Sequence, residues 1–165
     1  MLTLEIDIEG PWPDSTDWEA LAARAAGALA VVAPELAKDC LLVSLLMTSD
    51  SEVHTLNLDW RGKDKPTNVL SFPMLEREDL LDLEDSGPPE MLGDVALAYE
   101  TCAREAEEKG ITLQDHAAHL LIHGLLHLAG LDHEISPEDA REMELLEIKA
   151  LALIGIADPY GDHGA

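Results

Sequence analysis

The segment from Thr112 to Ala129 constrains this chain more than any other. Leu113, Ala117, Leu120, Leu121 and Leu125 recur at helical spacing, and Gly130 stands where a helix ends. A helix this apolar needs an apolar surface to lie on. The rest of the chain supplies short strands that can form one. Leu2, Leu4, Ile6 and Ile8 alternate with polar residues, the period of a half-buried strand. Leu41–Met47 is more apolar and suits a central strand. Val69–Phe72 and Asp94–Ala98 read as two more.

Between these strands the pattern predicts helices over Trp18–Val32, with Thr16 and Glu19 as a capping box, and over a short stretch from Ser49 or Asp50 to Asn57. Asp59–Asn68 reads as a polar loop. Tyr99–Lys109 reads as a helix ended by Gly110, and a last helix spans about 137–154 behind Ser136-Pro137, with Met143, Leu146 and Ala150 on one face. Residues 75–91 hold seven acids and a Gly-Pro-Pro turn, and read as a solvated excursion. No repeat or linker divides the 165 residues. The expectation is one α+β domain over 1–165: a mixed sheet of about four strands, helices packed on it, a central metal-binding helix, and a frayed tail over 156–165.

No apolar run approaches the ~18–20 residues of a membrane span, and no basic-then-apolar leader opens the chain. Cys40 and Cys102 do not make a disulfide framework. These features predict a soluble, cytoplasmic protein. The net charge is −24, with 34 acids against 10 bases. Taken alone it argues against a nucleic-acid partner, because phosphate binders normally show a basic face.

The helix carries chemistry of its own. His123 and His127 are four residues apart, about 400° of rotation and about 6 Å along the axis, so both rings can reach one ion. Gly130 lets the chain double back, and His133 can then supply a third nitrogen. Three neutral histidines leave one tetrahedral position open, the arrangement of a catalytic zinc; nickel or copper would accept the same ligands. His119, one turn earlier, and Asp132 are candidates to orient a ligand ring or simply to pack. The metzincin peptidase motif H-E-x-x-H-x-x-G-x-x-H has the same histidines and glycine, but its general-base glutamate is Gly124 here.

A second segment stands out against the acidic background. Three of the ten basic residues, Arg61, Lys63 and Lys65, fall within five positions. Arg61 can hold a phosphate with two hydrogen bonds, and the lysines can hold flanking backbone. Ser71 is read as packing in its strand.

These residues resemble the YbeY family of metal-dependent endoribonucleases. The family's H-G-x-L-H-L-x-G-x-D-H appears as His123-Gly124-Leu125-Leu126-His127-Leu128-Ala129-Gly130-Leu131-Asp132-His133. The stretch Leu56–Pro73 resembles the family's L-N-x-x-[YWF]-R-x-x-D-x-P-T-D-V-L-S-F-P, with Arg61 at its functional arginine and Asn68 where Asp is usual. Leu131 stands where an aromatic is common. The resemblance implies a zinc-dependent hydrolase of single-stranded RNA, with one Zn2+ per chain on His123, His127 and His133. It implies Arg61 as catalytic residue and substrate contact, beside Lys63 and Lys65. It further implies work in ribosomal RNA maturation, at the 3′ end of 16S rRNA, and in ribosome quality control. The partners implied are ribosomal RNA, small-subunit proteins and assembly factors, with neither a membrane nor DNA among them. Two other readings fit the residues: a zinc metallopeptidase on the same triad, and a non-catalytic ribosome assembly factor with a structural metal. The charge is also uneven, since the acids crowd into 75–91, the helix near 100–108 and the last helix.

Overall fold

The computed structural model describes residues 2–131 and 137–160. Its elements in chain order are β1 (Thr3–Ile8), α1 (Trp18–Val32), a 3-10 turn (Pro34–Ala37), β2 (Leu41–Thr48), α2 (Asp50–Arg61), β3 (Val69–Pro73), α3 (Arg77–Asp82), β4 (Glu90–Ala98), α4 (Tyr99–Lys109), α5 (Leu113–Leu128) and α6 (Pro137–Leu153). One four-stranded mixed sheet runs β1-β2-β4-β3, with β3 antiparallel on β4 and the other pairs parallel. The chain is an α+β single domain, as the strand and helix patterns predicted.

β2 shows how the pattern becomes layers. Leu41, Val43, Leu45 and Met47 are buried on one face, while Leu42, Ser44 and Leu46 are half-buried on the other. The first face joins the main core with Ala22, Ala25, Ala26 and Leu29 of α1, Leu121, Leu125 and Leu128 of α5, and Met143, Ala150 and Leu151 of α6. The alanines of α1 let that helix lie close to its neighbours. On the second face Val53 of α2 packs with Leu70, Ala96 and Ala98. The sheet thus carries helices on both faces, fully on the first and in part on the second, and α5 lies in the thicker layer. No helix among the described residues is long and apolar enough to cross a membrane.

Several boundaries differ from the sequence reading. The N-cap of α1 is Asp17, whose side chain accepts from the Ala20 amide at 3.0 Å, rather than Thr16. α2 continues past Asn57 to Arg61, because Gly62 in the left-handed conformation supplies its C-cap. Arg61 thus sits on a helix end rather than in a loop. β4 begins at Glu90, four residues before Asp94.

The acidic excursion is also anchored rather than simply solvated. It contains α3, whose Leu80 is fully buried. Arg77 donates to the Ala129 carbonyl at 2.7 Å and to Glu35 at 2.8 Å, and Lys38 donates to the Leu80 carbonyl at 2.6 Å. Part of the tail read as frayed is held as well. Ile156 packs on the core, and the Tyr160 hydroxyl donates to Glu147 at 2.8 Å.

Gly93 is where three layers meet. Leu92 is the extra residue of a bulge, since Leu42 pairs with Met91 and Val43 with Gly93. Gly93 has φ +154°, and a Cβ there would lie 2.4 Å from the Phe72 carbonyl oxygen and 2.7 Å from Leu128 Cδ2. The Leu128 methyl can turn aside, but the backbone of β3 cannot yield cheaply. Gly93→Ala should destabilise the fold by about 3 kcal/mol in urea unfolding; a loss below about 0.5 kcal/mol would contradict this packing.

Candidate metal centre and cationic cleft

α5 is buried almost all round. From His116 to Ala129 every residue is buried except His123 and His127, which are half-exposed. Thr112 starts the helix by accepting from the Asp115 amide at 3.1 Å. The helix ends at Ala129, and Gly130 (φ +90°) turns the chain. A Cβ at Gly130 would stand 2.7 Å from Arg77 Cβ, so the turn also leaves room for the anchored excursion.

The two half-exposed rings converge. His123 Nε2 and His127 Nε2 are 3.2 Å apart. Two nitrogens bound to one tetrahedral zinc at the usual ~2.0–2.1 Å would be about 3.3–3.4 Å apart. The separation of the pair therefore matches that of two ligands on one divalent ion. His133 and Asp132 lie outside the described residues. Among the described residues no group of three or more His, Cys, Asp or Glu side chains is placed to hold a metal, and the histidine pair is the candidate there.

The histidine pair opens into a cleft of about 480 Å3 lined by Asn57, Arg61, Lys63, Lys65, Thr67, Asn68, Val69, Ser71, His123 and His127. The basic segment and the histidines, some 60 residues apart in sequence, are thus walls of one space. Buried Asn57 holds the segment in place. Its side-chain amide donates to the Lys65 carbonyl at 2.8 Å, and its backbone carbonyl accepts from the Lys63 amide at 3.1 Å. His54 Nε2 meets Asp64 Oδ1 at 2.6 Å and pins the same segment to α2.

Four of the cations elsewhere are tied to the protein. Arg24, Lys38 and Arg77 bond protein carbonyls, Arg77 also pairs with Glu35, and Arg104 pairs with Glu108. The side chains of Arg61, Lys63 and Lys65 make no ion pair among the described residues and are exposed. They remain available to an anion.

Gly124 explains why the peptidase glutamate is missing. A Cβ at this position would lie 3.0 Å from Val95 Cγ1 and 3.2 Å from Ser71 Oγ. α5 crosses the sheet here, and position 124 faces the strands rather than the cleft. Ser71 Oγ donates to the Gly124 carbonyl at 3.3 Å, so Ser71 ties the crossing together while also lining the cleft.

Behind the pair lies a polar network that sequence reasoning missed apart from His119. Glu147 of α6 is fully buried. Its Oε1 accepts from His119 Nε2 at 2.9 Å and from His123 Nδ1 at 3.0 Å. Burial pushes the Glu147 carboxyl up, but the His119 and His123 hydrogen bonds and charges outweigh it and hold the group down at about 2. The available signal was a carboxylate between Met143 and Ala150 on the apolar stripe of the last helix. Next to it, buried His116 meets Glu105 at 2.9 Å, and Asn68 Nδ2 donates to the same Glu105 oxygen at 2.9 Å. A carboxylate in place of Asn68 would face Glu105, which gives the amide a structural role here. Both cysteines are buried and unpaired with each other; burial pushes the Cys102 thiol far up, so it is inert.

A close histidine pair and three cations with no ion pair among the described residues share one cleft on a small α+β fold, a combination suited to an anionic ligand. A family model described as endoribonuclease YbeY matches residues 12–155. The chain is 64% identical over 162 residues to an endoribonuclease YbeY of Erythrobacter litoralis, covering 98% of this chain and 99% of that one. It is 61% identical over 158 residues to an endoribonuclease YbeY of Novosphingobium aromaticivorans, covering 95% of each. Its fold is similar to the solution structure of TM1509 from Thermotoga maritima, with a TM-score of 0.60 and 25% identity over 97% of this chain and 91% of that one. The chain belongs to the endoribonuclease YbeY family.

The His116–Glu105 pair sets a pH dependence. Burial holds His116 below its ordinary value of 6.5 despite Glu105, and Glu105 lies below its own ordinary value because His116 and Asn68 outweigh its burial. Both shifts make the folded chain bind protons less readily than the unfolded one. Their stabilising contribution is complete above about pH 6.5 and fades as pH falls through the unfolded histidine value and then the carboxylate range. The urea midpoint of the metal-free protein should drop between pH 7.5 and 5.5, and His116→Gln should flatten that drop. An H116Q protein that loses as much as the parent would refute the assignment.

Proposed function

We propose that this chain is a zinc-dependent, single-strand-specific endoribonuclease that matures ribosomal RNA. The observation that carries this reading is the shared cleft, lined by His123 and His127 together with Arg61, Lys63 and Lys65. Family membership supports RNA as substrate. His133 is assigned as the third metal ligand on its place in the motif.

A divalent metal on these histidines would supply Lewis acidity toward a phosphoryl oxygen and acidify water near neutral pH. The chain's own residues do the rest. Arg61, on the last turn of α2, grips the scissile phosphate and stabilises the charge that builds on its oxygens. Lys63 and Lys65 hold the phosphates on either side and keep the strand in register. Asn57 and His54 keep these cations from collapsing onto the acidic surface. A cleft lined by cations suits a single strand, whose unpaired backbone can bend its phosphates into it.

Partners are assigned on the same footing: ribosomal RNA, the small subunit with its proteins, and assembly factors, in the cytoplasm. The charge of −24 sharpens this proposal. It makes non-specific RNA binding weak and favours delivery of the substrate by a partner.

The test pairs metal analysis with cleavage of a single-stranded ribosomal RNA fragment. His127→Ala should lose bound zinc and cleavage together. Arg61→Ala should keep fold and zinc but cleave about 10²–10³-fold more slowly. An R61A protein that cleaves like the parent would remove the phosphate role, and an H127A protein that keeps one zinc would remove the ligand assignment. The product ends identify the nucleophile: a 2′,3′-cyclic phosphate marks attack by the RNA 2′-OH, and a 5′-phosphate with a 3′-OH marks attack by water.

A further inference from the structure

α6 passes behind α5 and delivers a single carboxylate into a dry layer. An ionised carboxylate persists in such a place only when donors fill its lone pairs. Three donors do so. His119 Nε2 and His123 Nδ1 reach Glu147 Oε1 at 2.9 and 3.0 Å, and the Tyr160 hydroxyl donates to Oε2 at 2.8 Å.

The donor directions fix the rings. An ionised carboxylate only accepts, so His123 carries its proton on Nδ1. His123 Nε2 then carries the ring's lone pair, and it is the atom that faces His127 Nε2 at 3.2 Å. That is the tautomer a metal ligand requires. Without the carboxylate, a neutral imidazole has no reason to prefer it, and the half-exposed ring can turn. His119 donates from Nε2 by the same logic, so it braces Glu147 and is not aimed at the ion itself. Tyr160 lies beyond α6, yet its ring packs edge-on against His119 with centroids 5.5 Å apart.

We infer that Glu147 is a positioning residue for His123, holding its ring and tautomer for the metal, and that Tyr160 and His119 hold Glu147 in turn. The inference rests on reading His123 and His127 as metal ligands. A purely structural role, an ion pair that ties α6 to α5, would affect thermal stability and leave tautomer and metal geometry untouched.

The experiment uses the full chain. In the metal-free parent at pH 8, a long-range 1H–15N spectrum should show His123 protonated on Nδ1. In Glu147→Gln that single tautomer should be lost, zinc affinity by chelator competition should weaken tenfold or more, and the visible spectrum of the cobalt-loaded protein should shift. Tyr160→Phe removes one donor and leaves the His123 bond, so it should weaken zinc in the same direction by a smaller factor, about two- to tenfold. A folded E147Q protein with the parent's tautomer, zinc affinity and cobalt spectrum would overturn the inference. If E147Q does not fold, Y160F decides: zinc affinity equal to the parent's overturns it. A parent with His123 protonated on Nε2 overturns it whatever zinc does. A parent that binds no zinc overturns the metal reading, and the positioning role with it.

Discussion

The close crossing of α5 over the sheet at Gly124 is the contact on which the rest depends. With no side chain at this position, the helix settles against Val95 and Ser71, and Ser71 Oγ bonds the Gly124 carbonyl. The helix is then buried on every side but one. His123 and His127 occupy the open side, the first just before Gly124 and the second less than one turn after it. Even a methyl group here would make Val95 and Ser71 give by a few tenths of an ångström, at the point where Ser71 lines the cleft. The missing glutamate, which looks like a loss when the helix is compared with a peptidase, stands where a side chain would press on Val95 and Ser71.

Charge follows from the same geometry. A chain at −24 repels a polyanion from most of its surface. Most of its described cations elsewhere are tied to protein carbonyls or carboxylates, and the unpaired trio of Arg61, Lys63 and Lys65 lines the cleft. A divalent ion on the histidines would add two more positive charges at the same spot. Net charge therefore describes how the whole molecule approaches RNA, and the cleft describes what it can hold once there.

Much of this was legible in the sequence because it rests on local spacing. The four strands, the apolar helix and the i, i+4 histidines all follow from periods of 2 and 3.6. Arg61 was identified by clustering of charge, although its helix ran one turn further than the polar composition suggested, since Gly62 caps it. What stayed hidden are contacts between distant segments. Nothing in the run around Glu147 reveals that its carboxylate meets two histidines of α5, or that Tyr160 reaches back to it. The acidic stretch 75–91 misled for a related reason. Its composition is that of a solvated loop, while Leu80 and Arg77 find partners in the core and at the end of α5 that only the folded chain provides.

The central claim is that the histidine pair and the cationic segment are one site. A crystal structure of the zinc-loaded protein with a short single-stranded RNA, 2′-O-methylated to block cleavage by its own hydroxyl, tests it most directly. It should show the ion between His123 and His127 and a backbone phosphate in the same cleft, held by Arg61. RNA seated on another face, or an ion bound away from this pair, would contradict it.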